Sequence, residues 1–330
     1  MQYRALGRTG LKISLLSFGA GPISTLMVGD DCQRQCDVVK HAIDRGINWF
    51  DTAATYGGGR SEQNLGRVLE ELDAAARVHV ATKVRLAEED LGDIRGAIRR
   101  SLEESLFRLR LSRVTLLQLH NSITLRRGDE PTSIAVDDVL GAGSVADAMA
   151  ELRADGLVSH LGLTGIGNPA LLAEVVRSGR FDTMQVPYHL LNPSAGRIMP
   201  VDFSETNYGN IISTCGEMHM GVLAIRTLAG GALAGSAPSP HTFKTAFFPL
   251  ALYERDRLRA DRLRDTLGPE RDLPQEAIRF VLSHPQVSSA LVGFGETWQI
   301  DEALEAINSR STSLNWEDVF ATEANVFNHR

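Results

Sequence analysis

Four residues able to handle protons stand where short apolar runs give out. Asp51 and Tyr56 lie in FDTAATYGGGRSEQNLG, Lys83 closes VHVATK, and His120 closes VTLLQLH. A free tyrosine titrates at about 10, too high for efficient acid–base work near neutrality. A lysine ammonium beside it favours the phenolate, and a carboxylate paired with the lysine holds that charge in place. A histidine can donate a hydrogen bond to a substrate oxygen as charge develops there. Such a set suits protonation of an oxygen while hydride reaches the adjoining carbon. Each member also has a structural explanation: Asp51 as a turn cap, Tyr56 as loop packing, Lys83 with its stem along apolar surface, His120 as a hydrogen-bonded core residue. Their joint occurrence at successive strand ends favours a site.

The elements that must position these residues alternate along the chain. ISLLSFGA (13–20) reads as a buried strand and CQRQCDVVKHAIDRG (32–46) as a helix closed by glycine. INWFDTA (47–53) follows as a strand, then SEQNLGRVLEEL (61–72) as a helix with Ser61 as N-cap and Glu62 in its first turn. VHVATKV and VTLLQLH flank a long amphipathic helix over 91–110. The rhythm continues through SVADAMAELRADG, VSHLGLTG, PALLAEVVRSG, TMQVPYHLL, YGNIISTCGEMH, GVLAIRTLAGG, helical stretches over 250–284, SSALVGF and TWQIDEALEAIN. Eight strand–helix units predict a closed (β/α)8 TIM barrel, whose catalytic groups come from the C-terminal ends of several strands. RALGRTGLKIS predicts a β-hairpin, with Gly10 in its turn, capping the opposite end. Residues 121–143 and 229–250 are long connections on the C-terminal face, where a substrate pocket is shaped. No linker divides the chain, so residues 1–330 are expected to form one barrel domain.

Composition narrows the partners. The 330 residues are 43% hydrophobic and 23% charged, enough for a large core. The net charge of -7, from 34 Lys+Arg against 41 Asp+Glu, offers no basic field to nucleic acid or an anionic membrane, so a small metabolite is the expected partner. The N-terminal apolar stretch is short and interrupted by Lys12, Ser14 and Ser17, unlike a secretory signal, and no apolar run would span a bilayer. Three cysteines, Cys32, Cys36 and Cys215, without an export signal predict reduced thiols and a cytoplasmic protein. Cys32 and Cys36 share a helical face, but no further His or Cys cluster completes a metal site, so no metal is expected. Self-association is compatible with this pattern, which carries no signal for it.

FDTAATYGGGRSEQNLGRVL, ATK, LLQLHN and LVGFGETWQIDEALEAI together resemble the aldo-keto reductase superfamily, over nearly the whole chain. The resemblance implies a (β/α)8 barrel without a Rossmann domain, binding NADPH or NADH in extended form across its C-terminal face. It implies Tyr56 as general acid/base, Lys83 and Asp51 as the groups that tune it, and His120 as the group orienting a carbonyl or sugar substrate. The implied cofactor set is Gly19, Ala20, Thr164, Gly165, Gln185, Ile225, Arg226, Leu228, Gly230, Gly293, Glu296, Gln299 and Glu302.

Within that set, Gln185 matches the glutamine that contacts the nicotinamide amide, and Glu302 the glutamate that contacts adenine. Thr164-Gly165 replaces the usual Ser-Asn pair. Ile225-Arg226-Thr227-Leu228 replaces an aromatic residue followed by Ser-Pro-Leu, so an aliphatic contact would stand in for ring stacking and Arg226 could reach the pyrophosphate. Residues 293–299 hold no cation and one anion, Glu296, which would repel a 2′-phosphate and accept from a ribose hydroxyl. This slightly favours NAD(H) over the NADP(H) usual in the family.

The expected function is therefore NAD(P)-dependent interconversion of a carbonyl with an alcohol or lactol. The alternative is a nicotinamide-binding regulatory subunit of a membrane channel, turning over slowly. An aldolase using Lys83 as a Schiff base would need a neutral lysine, which Asp51 opposes. Trp49, Phe247 and Phe248, with Trp316 or Phe320 from the tail, are candidate walls of the substrate pocket.

Overall fold

The computed structural model describes residues 1–308 together with 314, 316 and 320. Its strands are β1 (Tyr3–Ala5), β2 (Lys12–Ser14), β3 (Leu16–Gly19), β4 (Trp49–Asp51), β5 (His79–Val84), β6 (Val114–Leu119), β7 (Ile123–Thr124), β8 (Ile134–Ala135), β9 (Val158–Thr164), β10 (Thr183–Pro187), β11 (Gly221–Ile225) and β12 (Val287–Val292). Eight of these close into a barrel in the order β10-β11-β12-β3-β4-β5-β6-β9, and every pairing around it is parallel. Parallel neighbours require crossovers, which the helices supply: α1 (Cys32–Asp44), α2 (Arg60–Glu71), α3 (Ile94–Leu109), α4 (Val136–Leu140), α5 (Val145–Ala154), α6 (Pro169–Arg177), α7 (Ile211–Glu217), α8 (Leu250–Leu267), α9 (Leu273–Ser283) and α10 (Thr297–Asn308).

Strand alternation sorts the side chains. Phe18, Phe50, Leu117, Leu161, Met184, Val222 and Val292 join the core that the helices cover, with Phe18 and Phe50 stacked at 5.1 Å. The opposite parity faces the lumen, where Trp49, Ala81, Leu116 and Leu223 pack with Leu6 and Ile13 of the N-terminal hairpin. One layer higher, at the C-terminal ends of the same strands, stand Asp51, Lys83 and Gln118, all buried. The apolar floor thus excludes water from beneath the polar layer.

Several boundaries differ from the sequence expectation. The run 13–20 is two strands: β2 pairs antiparallel with β1, and after Leu15 the chain enters the barrel as β3. Helix α2 begins at Arg60, with Gly59 as N-cap; Ser61 lies inside it, fully buried, and donates to the Ala20 carbonyl at 2.7 Å while sharing a hydrogen bond with Thr52. The long helix over 91–110 starts only at Ile94, capped by Asp93, after a 3-10 turn over Glu88–Gly92. Trp49 belongs to the lumen floor and does not wall a pocket. Trp316 and Phe320 lie edge-on to Phe280 of α9, at 5.4 and 5.6 Å, and also leave the pocket. A third long connection, residues 188–210 between β10 and α7, joins the two that the sequence marked. Among the described residues no helix is long and apolar enough to cross a membrane.

Candidate active site

The segment that carries Tyr56 is fixed from both sides. Thr52 N donates to the Ala81 carbonyl at 2.9 Å, Tyr56 N to the Ala53 carbonyl at 3.1 Å, and Ser61 N to the Tyr56 carbonyl at 3.3 Å. Between them Gly57, Gly58 and Gly59 all have positive φ, a run only glycine adopts without strain, and this turns the chain from the barrel rim into α2. The Tyr56 ring rests against Gly21, whose Cβ would stand 3.5 Å from it.

Asp51 and Lys83 are each 1% exposed and form an ion pair. Lys83 Nζ also donates to the Thr52 carbonyl at 2.8 Å and to the Tyr56 hydroxyl at 3.4 Å. The second carboxylate oxygen of Asp51 accepts from Gln118 Nε2 at 3.0 Å and from Gln185 Nε2. Burial pulls the Lys83 pKa down, but Asp51 and Tyr56 outweigh it and hold the ammonium above its ordinary value. His120 lies edge-on to Tyr56, with ring centroids 5.8 Å apart, and its backbone N donates to the Val84 carbonyl at 2.8 Å. Burial, and then the charges of Arg85 and Lys83, keep His120 well below its usual value, so its imidazole is neutral at pH 7. Its Nδ1 is buried without a hydrogen-bond partner. The structure thus brings all four proton-handling residues together, with a permanent cation beside the phenol and a neutral imidazole across it.

From this cluster a cleft of about 610 Å³ runs over the C-terminal face to the start of α10. Gly19, Thr164, Gln185, Ile225, Arg226, Leu228, Gly230, Gly293, Glu296, Gln299 and Glu302 line it, as do Phe247 and Phe248. Two expected members face elsewhere. Ala20 is fully buried behind the rim and donates its N–H to the Asp51 carbonyl at 2.8 Å. Gly165 points toward Met184 and Val186, and Ile166 takes its place in the lining. Gln299 Oε1 accepts from the Gly295 and Glu296 amides at 2.7 and 3.1 Å, shaping the loop before α10.

Three further residues at the site escaped the sequence reading. Arg34 of α1 reaches the 293–299 loop, donating from Nε to the Gly295 carbonyl at 2.9 Å and pairing with Glu296 at 2.6 Å. That end of the cleft therefore has a cation, contrary to the expectation from residues 293–299 alone. Nothing local marks Arg34, since α1 reads as an outer helix. Arg85 and Gln118 did have a signal. They share the parity of Lys83 and His120 respectively, so strand alternation aims them at the same space.

Arg226 directly follows β11, with its side chain 12% exposed. Its guanidinium lies 4.0 Å from the centre of the Phe248 ring and 3.8 Å from Asp256 of α8. With Phe247, Phe248 and Ile166 it lines both the cleft and a second chamber of about 270 Å³. The long connections and α8 build that chamber, contributing Glu130, His189, Glu205, Tyr208 and Asp256. Burial raises the Asp256 carboxyl to about 6, against the opposing pull of Arg226 and Arg259.

A parallel eight-stranded barrel with a Tyr–Lys–Asp–His cluster at its C-terminal face defines a class of oxidoreductase. Comparison with known proteins agrees. Residues 16–321 match the family model described as Aldo/keto reductase family. The chain is 26% identical to L-galactose dehydrogenase of Arabidopsis thaliana, with 98% of this chain and 94% of that protein aligned. It is 28% identical to a D-threo-aldose 1-dehydrogenase of a Pseudomonas species, with 91% of each chain aligned. An aldo-keto reductase of Bacillus halodurans, solved in its holo form, superposes with a TM-score of 0.70 at 22% identity, over 99% of this chain and 95% of that one. The chain belongs to the aldo/keto reductase family. It is an NAD(P)-dependent oxidoreductase acting on carbonyl groups.

Proposed function

We propose that this enzyme interconverts an aldehyde, ketone or sugar with its alcohol or lactol, with Tyr56 as the proton-transfer group. The observation that carries the proposal is the Tyr56 hydroxyl held 3.4 Å from the Lys83 ammonium at the inner end of the cleft. The cleft suits a dinucleotide: glycines 19, 21, 230, 231, 293 and 295 admit close approach, and Arg34 and Arg226 supply cations for its anionic groups. When bound, the nicotinamide supplies or accepts the hydride.

The protein's own residues handle the proton. In reduction, Tyr56 gives its proton to the carbonyl oxygen, and the Lys83 ammonium stabilises the phenolate left behind. Asp51 holds Lys83 in place and is itself clamped by Gln118 and Gln185. The neutral imidazole of His120 donates to the same oxygen and orients it. In oxidation the phenolate removes the hydroxyl proton. Two relatives named as sugar dehydrogenases support a sugar or lactol among the substrates. We also take residues 1–330 to act as one domain, and the cytoplasm as its setting, a view supported by Cys32, Cys36 and Cys215 all being unbonded thiols.

Tyr56→Phe tests the assignment. It should cost on the order of 100- to 10,000-fold in turnover and leave NADPH affinity, read by fluorescence titration, nearly unchanged. Turnover near the wild-type rate would remove Tyr56 from the role.

A further inference from the structure

Arg85 follows Lys83 by two residues and lines the cleft at its inner end with Tyr56, His120, His241 and Phe247. Its guanidinium lies 5.4 Å from the centre of the Phe247 ring. Its Nε is buried and has no hydrogen-bond partner. Other cations around this cleft are answered by an acid: Lys83 by Asp51, Arg34 by Glu296, Arg226 by Asp256. Among the described residues none pairs with Arg85. The nearby imidazoles cannot compensate it, since burial leads the factors that depress His120 and His241, with Arg85 adding to both. A guanidinium that is half-buried at the wall of a cleft, with no counter-charge, offers its remaining donors to whatever enters that cleft. Its position beside the proton-transfer group, at the opposite end from the Arg34–Glu296 loop, puts that completion on the substrate.

We infer that Arg85 is a substrate-recognition residue, and that the preferred substrate carries an oxyanion, a carboxylate or phosphate, on the same molecule as its reactive carbonyl. This inference rests on the hydride-transfer reading above. The planar fork of Arg85 suits two parallel hydrogen bonds to such a group, with the Phe247 ring beside the guanidinium. The reaction is unchanged: hydride is exchanged at carbon and a proton at oxygen, while the anion serves only to orient.

The test uses matched pairs on the wild-type enzyme: 4-oxobutanoate against butanal, and glycolaldehyde phosphate against glycolaldehyde. The anionic member of at least one pair should be favoured by on the order of 10- to 100-fold in kcat/KM, the worth of a charge-assisted pair. Whichever pair shows the preference identifies the oxyanion. Arg85→Gln should collapse that ratio, and Arg85→Lys should restore part of it. If neither pair shows a preference, the inference fails. It fails equally if Arg85→Gln lowers both members of a pair alike, which would mean that Arg85 only assists Tyr56. Equilibrium binding separates this from failure of the hydride-transfer reading. Succinate and inorganic phosphate should bind the NADPH-loaded wild type, whereas succinamide should not, and Arg85→Gln should abolish the difference. Equal binding of succinate and succinamide, with no binding of phosphate, overturns the inference whether or not any carbonyl compound is turned over.

Discussion

Asp51→Asn is the sharpest probe of how the polar layer is held. The substitution keeps the shape of the side chain and removes its charge. Three donors converge on Asp51, namely Lys83 Nζ, Gln118 Nε2 and Gln185 Nε2, and the carboxylate is 1% exposed. An asparagine presents only one acceptor oxygen, so its amide nitrogen must oppose at least one of these donors. Lys83 is left as a buried cation with no counter-charge. Breaking a buried pair from one side costs about 3–5 kcal/mol, which in a domain of this size lowers Tm by roughly 4–7 °C. The companion Lys83→Met leaves Asp51 unpaired but still served by two amide donors. The double variant removes both charges, and should recover about 2 kcal/mol or more relative to the sum of the singles. Denaturation of all four proteins, without nucleotide, measures that coupling. Additivity within about 0.5 kcal/mol would refute the argument, because it would mean that the two charges are already neutralised by water or by other groups.

Two further outcomes follow from elsewhere in the molecule. Glu296→Ala frees Arg34, whose guanidinium now lies 2.6 Å from that carboxylate, and should shift the NADPH-to-NADH affinity ratio by roughly 10-fold toward NADPH; Arg34→Ala should shift it the other way, and unchanged ratios in fluorescence titration would remove both residues from the 2′ end. Burial pushes the Cys215 thiol from 9.0 up to about 12, so it should react with Ellman's reagent on the order of a thousandfold more slowly than an ordinary thiol. Cys32 is exposed and Cys36 partly so, and a native protein titrating three rapid thiols would contradict the packing described.

What the sequence disclosed and what it hid divide along one physical line. Strand ends are a local feature, so they brought Asp51, Lys83 and His120 to the rim, and strand alternation, an equally local rule, aims those side chains into the lumen. Applied one step further it would have found Arg85, and applied backwards it would have lowered Trp49. That residue stands two positions before Asp51 on β4, one layer down, where it packs with Leu116 and Leu223. The run 13–20 concealed its break at Leu15 because both strands are buried, and unbroken hydrophobicity carries no mark where a chain changes sheets. The remaining misses depend on distance. Arg34 meets Glu296 only because closure of the barrel returns β12 beside β3. The second chamber exists only because α8 delivers Asp256 to Arg226, with His189 and Tyr208 arriving from a loop after β10. A count of charges along residues 293–299 therefore undercounts the charge that a bound nucleotide meets. In a barrel whose site is gathered from separate strand ends, the field at any point belongs to the closed sheet, and selectivity for a second phosphate must be judged from the assembled rim.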